Sequence, residues 1–287
     1  MRILITGAAG MLGVDVGRAA EASGHDVVAL ARAALDIGDA DAVRAAVAAA
    51  TPDAVINCAA WTDVDGAESR VDEALAVNGA GAGNLAAAAT GAGAWTIHVS
   101  SDYVFDGGGE RPYVESDAVG PISAYGRSKL AGERAVAAAG GDRGPWTIVR
   151  SSWLFGVHGR CFPTTILRLA AERDRLQVVA DQVGCPTFTG HLAAALVALA
   201  GERVPGVLHV AAAGSCSWFE FAREIVATAG AGCEIVPIAT DQYPVAARRP
   251  AYSVLGSERA APALADWRDG LRAFLAERER ARAQVAA

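Results

Sequence analysis

Lysine is all but missing from this chain. Of its 25 basic residues, 24 are arginine and one, Lys129, is lysine. The two types exchange freely on a solvated surface but not where a compact ammonium with a shiftable pKa is required. The position of the one lysine therefore marks chemistry. Cysteine is sparse as well: Cys58, Cys161, Cys185, Cys216 and Cys233 are odd in number, widely spaced and free of any CxxC pair. That argues against a disulfide framework or a zinc centre and for reduced thiols in a cytoplasmic setting. No apolar run approaches the roughly 18 residues of a membrane span, and Met1 leads into RILIT without an apolar leader. Excess positive charge is lacking too. A net charge of −7 disfavours a nucleic-acid partner, whose phosphates demand a basic face; local arginines still allow an anionic small molecule.

What is present is a globular composition, 52% hydrophobic and 20% charged over 287 residues, enough for a main domain with a smaller one beside it. The chain opens with an apolar strand, RILIT, followed at once by GAAGMLG and a helix-like VDVGRAAEASG. In that order Gly7 permits a tight turn, Gly10 lets backbone N–H groups approach a pyrophosphate, and Gly13 allows close helix-to-strand packing. A second strand, DVVAL (26–30), is followed by Arg32 rather than a carboxylate. Arginine there suits the 2′-phosphate of NADPH, whereas Asp or Glu would suit NADH. The reading leans to NADPH and leaves NADH open. Asp36 either reaches the adenine side or caps the next helix.

A third strand lies within PDAVINCAA (52–60), and its small last residues leave room for a cofactor. A long helix is expected over 70–92, containing Asn78, and a fourth strand, WTIHVS (95–100), delivers Ser101 to the carboxyl edge of the sheet. His98 reads as a core histidine. After an acidic, glycine-rich loop comes SAYGRSKLAGERAVAAAG, a helix that sets Tyr125 and Lys129 four residues apart on one face. A fifth strand, WTIVR (146–150), completes the alternation. The pattern predicts an α/β fold: a doubly wound parallel Rossmann sheet over residues 1–150, with a smaller, partly interleaved substrate-binding lobe over 151–287. In the later part, helices are expected at 162–175, 189–200, 217–229 and 267–282.

The chemistry follows from the Ser101, Tyr125 and Lys129 set. A tyrosine hydroxyl titrates near pH 10, and lowering it by roughly 3 units needs about 4 kcal/mol of phenolate stabilisation. An ammonium in a partly desolvated cleft supplies much of that, so Lys129 is expected to lower Tyr125. Ser101 would hydrogen-bond the reacting oxygen. The set suits reduction of a carbonyl, with hydride from a nicotinamide to carbon and a proton from Tyr125 to oxygen.

The glycine turn, the serine after the fourth strand and YGRSK together resemble an extended short-chain dehydrogenase/reductase. More narrowly, MRILITGAAGMLG, INCAAWTDVDGAES, VNG, SSDYVFDG, YGRSK, RSSWLFG and RRPAYSVL occur in the order found in the dTDP-4-dehydrorhamnose reductase family of nucleotide-sugar 4-ketoreductases, which the chain resembles. The resemblance implies a bacterial cytoplasmic enzyme that reduces the C4 ketone of a dTDP-linked 4-keto-6-deoxysugar. Tyr125 would be the proton donor and Lys129 would bind the nicotinamide ribose. Cofactor contacts would come from Gly7, Gly10, Met11, Leu12 and Gly13, from Arg32, Asp36 and Ile37, and from Ala59 and Ala60. Substrate contacts would come from Thr62, Val64, Ser101, Asp102, Tyr125, Trp153 and Arg249. By their chemistry, the guanidinium groups of Arg248 and Arg249 suit a bidentate clamp on a diphosphate and equally suit a solvated loop pair. A homodimer is the assembly it leaves open. Some members of the family use magnesium-binding acidic residues; no such set is matched here, where Asp15 stands alone, and no metal is expected. Two rivals remain: a nucleotide-sugar epimerase on the same scaffold, which uses the same three residues, and a non-catalytic NADP-binding regulatory subunit. A dehydratase is disfavoured, because Asp102 is followed by Tyr103 and not by glutamate.

Overall fold

The computed structural model describes residues 1–141 and 144–286. Five strands, β1 (Arg2–Thr6), β2 (Asp26–Leu30), β3 (Ala54–Asn57), β4 (Trp95–Ser101) and β5 (Trp146–Ser151), join Gly206–His209 in one six-stranded sheet. Every pairing in it is parallel. From one edge the order is β2, β1, β3, β4, β5 and then Gly206–His209. The winding reverses between β1 and β3, and a parallel sheet opens a crevice at such a reversal, beyond the carboxyl ends of its strands.

Alternation along the strands explains the layering. Ile3 and Ile5 face one side, with Val16 of the helix Met11–Ala22 and with Leu192, Leu196 and Leu199 of the helix Thr189–Glu202. Leu4 faces the other side, with Val43, Val47 and Leu85 from the helices Ala40–Ala50 and Ala82–Gly91. Each β4 and β5 residue except Trp95 is buried, as expected where helices cover both faces of a parallel sheet. Residues 189–209 thus cross back to the main sheet. The remainder builds a separate core in which the Phe155 and Phe221 rings lie 5.4 Å apart and Trp267 meets Phe221 edge-on at 5.5 Å.

The long helix expected over 70–92 is interrupted. It runs Val71–Leu75, widens into a π-helical turn over Ala76–Gly81 and resumes at Ala82–Gly91. Within the turn lies Asn78, whose side chain serves partners outside its own helix: its Oδ1 accepts from the Trp61 N–H (2.8 Å), and its Nδ2 donates to the Trp61 carbonyl (3.1 Å) and to Ser128 Oγ (2.9 Å). Such π turns gather where a helix is bent to a functional purpose. Here the turn ties the loop after β3 to the helix Ala124–Gly140. The crossing is tight, because a Cβ at Gly132 would fall 2.1 Å from the Asn78 carbonyl oxygen. Gly132→Ala should lower stability by about 2 kcal/mol through overpacking. Urea unfolding measures this, and wild-type stability would refute the tight crossing.

Candidate active site

The turn after β1 is shaped by what cannot fit in it. Gly7 holds φ +66°, and a Cβ there would lie 2.5 Å from the Ala59 nitrogen; one at Gly13 would lie 2.2 Å from the Gly7 carbonyl oxygen. Gly10 caps the following helix without a side chain, so helix N–H groups stay free of an internal acceptor. The Ala59 and Ala60 backbone is held close by Asn57, whose Oδ1 accepts from Thr6 Oγ1 (2.8 Å) and from the Ala59 N–H (3.0 Å). Asn57 Nδ2 also meets the buried His98 at 3.0 Å. Ala59 and Ala60 are half-exposed in the crevice. This cradle suits a pyrophosphate carried past glycine backbone.

Other expected cofactor residues divide. Arg32 is exposed just beyond β2. Asp36 does not cap the following helix: its Oδ1 accepts from Gly38 N–H, and Asp39 caps instead, accepting from the Asp41 and Ala42 N–H groups. Ile37, expected at the cofactor, is 3% exposed and packs in the core with Leu4 and Val43. Leu12 is likewise a core side chain, while Met11 is half-buried and packs toward the aromatic core of the later lobe. For Ile37 and Leu12 the backbone alone is left to meet a ligand, because burial of the side chain is worth more than a single apolar contact.

Tyr125 enters at the start of the helix Ala124–Gly140. Ser123 caps that helix, accepting from Gly126 N–H (3.1 Å), and Glu68 accepts from the Ala124 N–H (2.7 Å). One turn on, Lys129 is 2% exposed and its Nζ donates to the Val99 carbonyl (2.7 Å), two residues before Ser101 on β4. Burial pushes the ammonium down to about 8, with Glu133 opposing the shift. The expected effect on the tyrosine is reversed. Burial pushes the Tyr125 hydroxyl up to about 12, only partly offset by a hydrogen bond with Ser101. Desolvation of the phenolate sets the direction, the Asp102 charge adds to it, and the Lys129 ammonium is spent on the β4 backbone. The hydroxyl therefore stays protonated at neutral pH.

Asp102, expected to touch substrate, lies behind Ser101 instead. It is 2% exposed; Oδ1 accepts from Ser101 Oγ (3.0 Å) and Oδ2 from Ser152 Oγ (3.0 Å). Arg249, expected at a diphosphate, has its fork taken by Asp65, at 3.1 Å from Nη1 to Oδ1 and 2.7 Å from Nη2 to Oδ2. The hydrogen bond from Arg249 leads the effects that hold the Asp65 carboxyl below its usual range. This pair ties the loop carrying exposed Thr62 and half-buried Val64 to the segment before residue 250. Trp153 holds φ +47° and stacks face to face on Trp218, centroids 3.4 Å apart. Sequence reading missed Trp218, Asp65 and Asn57. The amide at the end of the apolar strand AVIN was a usable signal for Asn57; nothing in local spacing marked the other two. Asp15 does not stand alone either: His158 Nε2 lies 3.5 Å from Asp15 Oδ1 and 3.7 Å from Glu277 Oε1. Arg18 Nη1, 2.7 Å from that ring nitrogen and 3.2 Å from Glu277, fills the cationic place among them. The donor set therefore reads as an ion-pair cluster.

The RmlD substrate binding domain family matches residues 1–280. Among curated relatives, a dTDP-4-dehydrorhamnose reductase of Mycolicibacterium smegmatis is 48% identical over 279 residues, 94% of this chain and 84% of the relative. A dTDP-4-keto-6-deoxy-D-glucose reductase of Streptomyces niveus is 44% identical, covering 90% of this chain and 89% of the relative. Among solved structures, a Bacillus anthracis dTDP-4-dehydrorhamnose reductase in complex with NADP superimposes with a TM-score of 0.92 at 37% identity, over 96% of this chain and 99% of that one. By its sequence along nearly its whole length and by its fold, this chain belongs to the RmlD substrate binding domain family.

Proposed function

We propose that this protein reduces the C4 ketone of a dTDP-linked 4-keto-6-deoxyhexose with NADPH, Tyr125 giving the proton. The observation that carries this reading is a buried Lys129 pinned to β4 one helical turn from a tyrosine that stays protonated, with Ser101 at the carboxyl end of that same strand. The glycine cradle fits a dinucleotide, and the relative solved with NADP supports the choice of cofactor. When bound, NADPH supplies hydride to the carbonyl carbon. Tyr125 delivers its hydroxyl proton to the carbonyl oxygen and is reprotonated from solvent. Its high pKa keeps that proton available, and Lys129 offers positive charge as the phenolate forms.

Mixing the protein with NADPH and dTDP-4-dehydrorhamnose should bleach the reduced-nicotinamide band; no oxidation with several such ketosugars would overturn the proposal. Tyr125→Phe should cut kcat by about 100-fold or more with NADPH affinity kept, and near-normal turnover would reject Tyr125 as the acid. Arg32→Ala should weaken NADPH more than NADH in binding titrations, and equal losses would remove the 2′-phosphate assignment. The tyrosine keeps its proton to about 12, so an alkaline limb must come from elsewhere. Lys129 loses its charge as pH rises through about 8, not near its ordinary value. The log kcat/KM profile should accordingly bend downward near that pH, and a profile flat to about pH 10 would exclude Lys129 as its source.

A further inference from the structure

Thr6, Asn57 and His98 are register partners across β1, β3 and β4, and all three are buried. The reduction makes no use of His98. Asn57 stands between it and the glycine turn. The Ala59 N–H can only donate, so the Asn57 atom that meets it at 3.0 Å is the oxygen, which also accepts the Thr6 hydroxyl at 2.8 Å. The other end of the amide is therefore the NH2 group, and the ring nitrogen facing it at 3.0 Å, His98 Nδ1, must accept. That fixes the imidazole as neutral, bare at Nδ1 and protonated at Nε2. Burial, aided by the Lys129 charge, holds the ring well below its ordinary pKa, so no second proton competes for Nδ1. A Cβ added at Gly132 would sit 3.3 Å from Nε2, and among the described residues that nitrogen has no partner. An apolar side chain filling the same space would leave no donor unmet there.

We infer that His98 is a positioning residue for the cofactor: by accepting from Asn57 it holds the amide with its oxygen toward Ala59, and so keeps the Ala59 backbone against Gly7, beside the pyrophosphate cradle. Without an acceptor at Nδ1 the amide is free to turn over, and an NH2 group would then face the Ala59 N–H. Donor against donor pushes that backbone away from Gly7, where a Cβ would lie 2.5 Å from the Ala59 nitrogen. The inference rests on the reading of the glycine turn as a dinucleotide cradle, and adds to it a residue two strands away from Gly7. Backbone N–H groups hold a phosphate only where the backbone is fixed, so the effect falls on cofactor binding and not on proton transfer. Networks of this kind are apportioned by double-mutant cycles.

NADPH binding titrations, with steady-state kinetics on the ketosugar beside them, test this. His98→Phe keeps the bulk and removes the acceptor, so NADPH affinity should fall about tenfold, while kcat at saturating NADPH and the ketosugar KM stay within about twofold. Asparagine carries its oxygen near the place of Nδ1 and glutamine near that of Nε2. His98→Asn should therefore stay within about threefold of wild-type affinity, although it leaves a cavity, and His98→Gln should lose about tenfold. Affinities that instead follow urea stability across the three variants would mark a merely structural histidine and overturn the inference, as would wild-type affinity in His98→Phe. In an Asn57→Ala background the His98→Phe loss should shrink below about twofold, and multiplicative losses overturn the inference. If the variants do not fold, nitrogen NMR of histidine-labelled wild-type protein reads the tautomer: a proton on Nε2 supports the inference and one on Nδ1 overturns it. NADPH binding is read without a ketosugar, so a failed substrate assignment leaves the test intact, and a failed cradle reading shows as wild-type protein that does not bind NADPH.

Discussion

A buried ammonium held to a strand carbonyl is the constraint on which the rest of this structure depends. Lys129 donates to Val99 from a fully desolvated position, and a charge taken out of water must be compensated nearby. Glu133, one turn further along the same helix, lies close enough to favour the charged form. That carboxylate is in turn engaged by Arg150 of β5, with contacts of 2.9 and 2.8 Å, and by Ser100 of β4. Helix, β4 and β5 are thereby stitched by one buried charge network. Removing a single partner from such a network costs about 3–5 kcal/mol, because an uncompensated charge is left behind. The same network prevents the helix from sliding, so Tyr125 is aimed by electrostatics as well as by packing.

The opposite side of the crevice is set by steric exclusion. Gly7, Ala59 and Gly13 approach one another so closely that no Cβ could be added at either glycine without moving backbone. Asn57 holds that approach, and Asn78 repeats the device one layer away by tying the loop at Trp61 to the tyrosine helix. Two buried amides therefore fix the glycine turn and the tyrosine helix relative to the loop after β3. An amide suits this work because it both donates and accepts without carrying charge.

Much of the fold was legible in the sequence because its signals are local. Apolar runs of strand length separated by helical periods, a glycine turn directly after the first strand and a tyrosine four residues before the only lysine each act over a few positions. The interrupted helix was not legible, since the Asn78 side chain in its π turn finds its partners, Trp61 and Ser128, 17 and 50 residues away along the chain. Ile37 and Leu12 were expected at the cofactor, but their side chains pack into the core, Leu12 on the buried face of the helix Met11–Ala22 and Ile37 against Leu4 and Val43. Arg249 was noticed for a guanidinium that would suit phosphate, and the same fork geometry suits the carboxylate of Asp65 that occupies it.

The sequence by itself determined the order of the main strands and helices, the glycine turn and the placement of a tyrosine one helical turn before the lone lysine. These depend on backbone freedom and on residues one helical turn apart, which no distant partner can alter. Tertiary structure alone decided the protonation of Tyr125, the burial of Asp102 behind Ser101 and the pairing of Arg249 with Asp65. Each of those depends on desolvation or on a partner far along the chain, and both quantities exist only once the chain has closed around the site.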